Sequence, residues 1–197
     1  MNLLAIEGCL VTIDARGCQK KIVETLVDRE ADYLIALKEN QPNLYSSVIS
    51  HFDQVNEKEG KEPTIDFAET LETSHGRKEE RRCWVSYAVE KIENSEQWKK
   101  LTSVVMIESE RTLHGKTSLE HRYYLSSSSK DAEYLLRATR QHWGIENSLH
   151  WVLDISFRED ESRIRRDFAA QNAATLRHIA LNLSLMYVLW RSAILNI

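Results

Sequence analysis

Hydrophobic and polar positions follow three different patterns along the 197-residue chain. In residues 1–53, two short apolar runs at 8–14 and 32–38 predict buried strands, and the segment between them has apolar residues at helical spacing. A further helix is predicted from Pro42, because proline is favoured in the first turn of a helix. Two buried strands joined by a helix predict a right-handed βαβ unit with a parallel pair.

Residues 54–129 contain strand-like runs that short polar turns separate. They predict a β-rich insertion of antiparallel strands, at residues 64–71, 82–92, 103–111 and 119–125. In residues 130–197 the apolar spacing is helical again, with one long helix over 130–153 that begins at a Ser129 cap and a second over 168–191. The second helix is expected to bury one face, formed by Leu176, Ile179, Ala180, Leu183 and Tyr187. The chain is therefore predicted to be an α/β protein with C-terminal helices.

Composition and charge narrow the classes of function. The formal net charge is −4, whereas proteins that coat DNA are usually basic, so a DNA-binding role would require local basic patches. The three cysteines form no Cys-x-x-Cys pair, so the sequence predicts neither a zinc knuckle nor a disulfide framework. Without a secretory signal, a cytoplasmic protein is expected. The most apolar segment, residues 179–190, is too short to span a bilayer, so no membrane partner is expected.

A polar stripe in the third part has residue types that bind metals. Residues four apart on a helix lie nearly above one another, so His142, Glu146, His150 and Asp154 would share one side. One interpretation is a carboxylate metal ligand at Glu146. A second is a zinc hydrolase that uses His142, Glu146 and His150. The second is less favoured, because zinc ligands usually come from more than one element and the two histidines are eight residues apart.

Asp14 is a candidate partner for Glu146. It lies at the carboxyl end of a predicted parallel strand, where open α/β sheets place functional groups. Two such carboxylates would bind a divalent ion for phosphoryl transfer, and Mg²⁺ prefers oxygen ligands. The simpler alternative is that Asp14 caps a turn and that Glu146 is a solvated surface residue.

Basic and aromatic residues suggest contacts to nucleic acid. Arg77, Lys78, Arg81 and Arg82 could contact phosphates, although Glu79 and Glu80 offset part of this charge and a solvated hairpin face is the alternative. Trp143 could stack on an unpaired base or pack beneath its helix.

Several segments, taken in order, resemble the bacterial insertion-sequence DDE transposases, in the subgroup that includes the H-repeat-associated proteins. The matching segments are Thr-Ile-Asp-Ala-Arg-Gly-Cys-Gln at residues 12–19, then residues 32–41, 75–82, 142–154 and 157–160. The resemblance covers nearly the whole chain. It implies a partial RNase H-like fold with a β-rich insertion.

The resemblance also implies a chemistry and a set of residues. In this family three acids bind two Mg²⁺ (or Mn²⁺) ions for DNA strand cleavage and transfer, and here Asp14 would be the second acid and Glu146 the third. Many relatives place the third acid in a Tyr-x2-Arg-x3-Glu-x6-Lys pattern, which here reads Thr139, His142, Glu146 and Leu153. The implied DNA contacts are Arg77, Lys78, Arg81, Arg82, Arg140, His142, Trp143 and Asn147.

The first acid of the family has no counterpart in this sequence. It lies on an earlier strand in the relatives, whereas the only acid before Asp14 is Glu7. We therefore expect a C-terminal portion of a transposase that is inactive by itself, with insertion-element DNA, an intact transposase or a second copy as partners. The alternative is a non-catalytic fragment that binds DNA or a transposase.

Overall fold

The computed structural model of the chain describes residues 5–57, 64–74, 77–145, 151–159 and 161–195. Two compact units are present, Met1–Arg140 and Gln141–Ile197. The first unit contains a six-stranded sheet, and the second contains two of the helices.

The sheet of the first unit is mixed. Its strands, in chain order, are β1 (Leu10–Ile13), β2 (Asp32–Leu37), β3 (Ile65–Ser74), β4 (Arg77–Ser86), β5 (Ser103–Leu113) and β6 (Lys116–Ser126). They lie side by side in the order β1-β2-β6-β5-β4-β3. Only β1 and β2 are parallel, and each of the other neighbouring pairs is antiparallel.

Helices cover both faces of this sheet. Helix α1 (Lys20–Val27) joins β1 to β2, and α2 (Pro42–Glu57) follows β2. Their apolar residues pack on one face around Tyr33, Ile35 and Leu125, all fully or almost fully buried. On the other face, α3 (Ala132–Ile145) contributes Leu135 and Leu136 to a core with strand residues Leu34, Cys83, Val85, Val105 and Ile107. The predicted α/β class and the βαβ unit are therefore confirmed.

The start of α3 corrects the sequence prediction. Ser129 is not the cap, because Asp131 Oδ1 accepts a hydrogen bond from the Tyr134 backbone N–H at 2.9 Å. The Ala132 N–H donates to Asp66 Oδ2 at 2.8 Å, so a strand residue also satisfies the first turn of the helix. An aspartate at this position is favoured by the helix dipole as well.

The charged segment at residues 77–82 was also predicted incorrectly. The expected strand at 82–92 is instead β4 from Arg77 to Ser86, followed by a 3₁₀ turn at Val89–Lys91. All six residues from Arg77 to Arg82 are charged, so no alternation of apolar and polar residues indicated a strand there. Because β2 pairs with β6, one sheet contains strands from both the first and the second predicted parts. The division at residues 53 and 129 stays a prediction.

The second unit contains α4 (Trp151–Ser156) and α5 (Ala169–Leu195). Arg177 Nη1 lies 3.6 Å from Glu159 Oε1. The predicted buried face of α5 is wrong for Leu176, Ile179 and Leu183, which are exposed. Apolar spacing identifies a side of a helix that favours burial but not what covers it. None of the described helices is long and apolar enough to cross a membrane.

Candidate functional site

Asp14 follows β1 directly, at the carboxyl end of the parallel pair. Its backbone is extended, with φ −67° and ψ 165°, and its side chain caps the 3₁₀ turn Ala15–Gly17. The Oδ1 atom accepts a hydrogen bond from the Arg16 N–H at 2.6 Å. The carboxylate is exposed, so the turn fixes its position while leaving it accessible to solvent. The turn-cap alternative for Asp14 is therefore confirmed, and its role as a metal ligand stays a prediction.

Two amide side chains that follow β2 support the Asp14 turn. Asn40 Nδ2 donates to the Ala15 carbonyl at 2.7 Å, and Gln41 Nε2 donates to the Cys18 carbonyl at 3.0 Å. Both residues lie in the segment 32–41 that resembles the family, but the sequence pattern gave neither of them a role. Their position after β2 could have indicated that they lie near Asp14, because the carboxyl ends of neighbouring parallel strands meet at one edge of a sheet.

The interior of this turn is tightly packed. A Cβ atom at Gly17 would lie 2.2 Å from Cγ2 of Ile13, so a larger residue would displace β1 or the turn that follows it. Cys18 is completely buried, and its burial raises the pKa of the thiol to about 12. The backbone around Asp14 is therefore held by packing as well as by hydrogen bonds.

The remaining predicted metal ligand lies outside the described residues. Glu146 and Asn147 follow Ile145, the last described residue of α3, and His150 of the zinc alternative is also outside the described residues. Within the described ranges, no cluster of three or more histidine, cysteine, aspartate or glutamate side chains could hold a metal ion. Asp14 by itself offers the oxygen donor that a hard cation such as Mg²⁺ prefers.

His142 and Trp143 are adjacent in the last turn of α3 and contact each other. Their ring centroids are 5.9 Å apart, with an interplanar angle of 87°. His142 is half-buried, and Trp143 is 37% exposed. The indole thus keeps accessible surface, and its stacking on an unpaired base stays a prediction.

The four basic residues of β4 do not form one patch. Successive residues of a strand point to opposite faces, so Arg77 and Arg81 lie on the side of the sheet where α3 packs, with Cys83 and Val85. We call this side the α3 face. Lys78 and Arg82 lie on the opposite side with Trp84, which packs against the core containing α2. We call this side the α2 face.

Carboxylates neutralise part of the charge on the α3 face. Glu79, only 8% exposed, pairs with both Arg77 and Arg81. Arg140 of α3 donates a hydrogen bond to Glu72, and this bond lowers the pKa of the Glu72 carboxyl. Burial, and then the neighbouring Arg140 guanidinium, lowers the pKa of Arg81. Cationic side chains from β4 and α3 are therefore brought close together here.

The α2 face has a different arrangement. Arg82 Nη1 donates to Glu108 Oε1 at 2.6 Å, and Arg82 also pairs with Glu80. His121 Nε2 is 2.9 Å from Glu108 Oε2. Lys78 Nζ lies 3.8 Å from Glu80 Oε2. The hydrogen bonds to these two carboxylates raise the pKa of Arg82, which is the effect expected of a side chain used in structural ion pairs.

Asp14 lies far from the basic residues of β4 on the sheet. β1 forms one edge, and β2, β6 and β5 lie between it and β4. Four strand spacings amount to about 19 Å. The structure therefore brings Arg77, Arg81 and Arg140 together, but these residues and Asp14 do not form one compact cluster.

Comparisons with known proteins agree with the resemblance in the sequence. A family model described as "Transposase DDE domain" matches residues 1–183. The chain is 42% identical over 187 residues to "Putative transposase YncI" of Escherichia coli O157:H7, covering 93% of this chain and 47% of that protein. It is 38% identical over 188 residues to "H repeat-associated putative transposase YhhI" of Escherichia coli strain K12, covering 93% and 49%. The chain spans about half the length of these relatives.

Proposed function

Because this chain belongs to the transposase DDE domain family, we propose that it supplies two of the three acids of a DNA strand-transfer site. The proposed acids are Asp14 and Glu146. The family has an RNase H-like α/β fold and generally uses divalent metal ions. The mixed six-stranded sheet is of this α/β class.

The observation that supports this proposal most strongly is the setting of Asp14. Its carboxylate is exposed at the carboxyl end of a parallel strand, and the turn that positions it is held by Asn40 and Gln41. A fixed, accessible carboxylate is what a metal ligand in phosphoryl transfer requires.

We propose Mg²⁺ or Mn²⁺ as the ions, since both carboxylates are hard oxygen donors. When bound, the ions would activate water or a DNA 3′-hydroxyl for attack on a phosphodiester and stabilise the leaving oxygen. Asp14 would keep its position through the Arg16 N–H. The other metal oxygens would come from Glu146 and from an acid that these 197 residues do not include.

Of the residues that the family motifs indicate, we propose Arg77, Arg81, Arg140, His142, Trp143 and Asn147 as DNA contacts. Lys78 and Arg82, which pair with carboxylates on the α2 face, are not included. Insertion-element ends are the proposed DNA partner, and an intact transposase or a second copy of the chain is the proposed protein partner. Because one acid is missing, we propose that the 197-residue chain binds DNA without cleaving it.

A nicking and strand-transfer assay tests the catalytic part of the proposal. The substrate is a supercoiled plasmid with an inserted element end, incubated with the chain and Mg²⁺ or Mn²⁺. The expected result is no product above the level of Asp14→Asn and Glu146→Gln. Cleavage that both substitutions abolish would show that two acids are enough and would overturn the claim of inactivity.

The second candidate is a purely non-catalytic DNA-binding fragment. It is favoured by the arginine cluster around Arg81, which lies apart from Asp14. Under this candidate Asp14→Asn and Glu146→Gln would change neither DNA binding nor divalent-ion binding. A Mn²⁺ titration of the wild type and the two variants separates the candidates.

A further inference from the structure

We propose that DNA phosphates bind to the α3 face of the two hairpins β3–β4 and β5–β6, and that the α2 face stays free of DNA. This inference rests on the proposed function, because it states which surface of the same protein receives the DNA. It assigns contacts to Arg111, Lys116 and Arg122, which no motif indicated, and none to the α2-face residues Lys78 and Arg82.

Strand register gives the two faces opposite charge. Residues that pair directly across an antiparallel ladder project to the same face. Within 69–74, 77–82, 108–113 and 116–122, this places five basic residues and three carboxylates on the α3 face: Arg77, Arg81, Arg111, Lys116 and Arg122, with Glu72, Glu79 and Glu120. Arg140 of α3 adds a sixth cation.

The α2 face of the same segments has the opposite balance. Two basic residues stand against four carboxylates: Lys78 and Arg82, with Glu69, Glu80, Glu108 and Glu110. Exposed Leu71 and Leu119 add apolar surface there. A polyanion is repelled by net negative charge, so this face is unsuited to DNA.

On the α3 face, the carboxylates already form hydrogen bonds or ion pairs with arginine side chains. Glu120 accepts two hydrogen bonds from Arg122, at 2.8 and 3.0 Å. Glu79 pairs with Arg77 and Arg81. These acids hold the arginine side chains in place, and the exposed Arg111 and Lys116 lie on the same face beyond them. The surface therefore combines ordered arginines with accessible positive charge.

One atom indicates that donors exceed acceptors in this cluster. Arg81 Nη1 is buried and makes no hydrogen bond, and Glu72 Oε2 lies 3.8 Å from it. A phosphate beside the accessible guanidinium groups of Arg77 and Arg140 would reduce the repulsion between the charges of this cluster, and the planar arginine fork matches phosphate oxygens. From Lys116 to Arg122 the strand rises about 20 Å, a length over which a duplex presents several phosphates.

The test measures binding of the 197-residue chain to a labelled 20-base-pair duplex by fluorescence anisotropy between 50 and 200 mM salt. Arg111→Gln and Lys116→Gln each remove one charge from the α3 face. Lys78→Gln is the matched control, because it removes one exposed lysine charge from the α2 face. Lys78 pairs with Thr112 of β5, the residue next to Leu113, which pairs with Lys116. Circular dichroism checks that each variant is folded.

We expect each α3-face variant to weaken binding about three- to tenfold at low salt and to lower the salt slope by about one. Lys78→Gln should stay within about twofold of wild type. Duplex binding that Lys78→Gln weakens as much as Arg111→Gln would overturn the face assignment while leaving DNA binding in place. A wild-type chain that does not bind the duplex would overturn both the face assignment and the proposed DNA-binding function.

Discussion

Asn40 donates a hydrogen bond from Nδ2 to the carbonyl oxygen of Ala15 at 2.7 Å, and so joins the end of β2 to the turn that contains Asp14. Substituting Asn40→Ala leaves this partly buried carbonyl without its donor. We expect the free energy of unfolding to fall by about 1 kcal/mol, measured by urea denaturation. Asn43→Ala, on the exposed surface of α2, should change stability little. An equal loss for the two variants would contradict a specific role for Asn40.

Gly17 has no space for a side chain, since a Cβ atom there would approach Ile13 Cγ2 to 2.2 Å. We expect Gly17→Ala to destabilise the protein by about 1–3 kcal/mol. The same substitution at Gly144, where an added Cβ meets nothing within 4 Å, should be neutral or stabilising by up to about 1 kcal/mol. Thermal unfolding of both variants checks this difference, and a neutral Gly17→Ala would show that the turn adapts easily.

The three cysteines should differ strongly in reactivity. Cys9 is exposed, whereas Cys18 and Cys83 are buried. Burial raises the pKa of Cys18 to about 12 and raises that of Cys83 further still. Because the thiolate is the reactive form, a maleimide at pH 8 should modify Cys9 first and leave the other two until the protein unfolds. Mass spectrometry of peptides gives the order. Rapid labelling of Cys18 in the native protein would contradict the packed turn beside Asp14.

The Glu72–Arg140 pair should make a pH-dependent contribution to stability. Arg140 lowers the pKa of Glu72 in the folded protein, so the stabilisation is present above the unfolded value of about 4.3. It is lost as the pH falls through the lower folded value. Since nearly half of each side chain is exposed to solvent, we expect only about 0.5 kcal/mol.

Urea unfolding of wild type and Glu72→Gln between pH 2 and pH 7 measures this effect. The two proteins should differ in the free energy of unfolding at pH 6, and this difference should be lost towards pH 2. In an Arg140→Gln background the difference at pH 6 should become smaller but remain, because Arg81 and Arg77 still lower the pKa of Glu72. A difference that is unchanged by pH would show that Glu72 contributes through packing and not through its charge.

The parallel βαβ unit could be predicted from sequence because short apolar runs with turn signals leave few alternatives. The charged β4 segment could not, since every residue from Arg77 to Arg82 is charged and no apolar residue marks a buried face. Their arrangement depends on cross-strand partners such as Glu108, which only the register of the sheet reveals. For the same reason the sequence did not indicate Arg111 and Arg122, which lie on separate strands and share a face only after folding.

The strand end at which Asp14 lies could be predicted from the sequence, whereas its role as an acid of the site stays a prediction. The structure adds that Asn40 and Gln41 support its turn. These contacts join residues more than twenty positions apart, so local patterns did not contain them. The prediction that Leu176 on α5 is buried was wrong for a related reason. Apolar spacing does not specify which element covers the apolar side of a helix.

The central claim is that Asp14 and Glu146 bind the same divalent ions, and a Mn²⁺ titration followed by electron paramagnetic resonance tests it most directly. Wild type, Asp14→Asn and Glu146→Gln are compared with Asp53→Asn, which removes an exposed carboxylate from α2. We predict that Asp14→Asn and Glu146→Gln each weaken binding at least about tenfold, the loss typical for disturbing a metal site, and that Asp53→Asn binds as wild type does. Equal Mn²⁺ binding by all four proteins would contradict the claim.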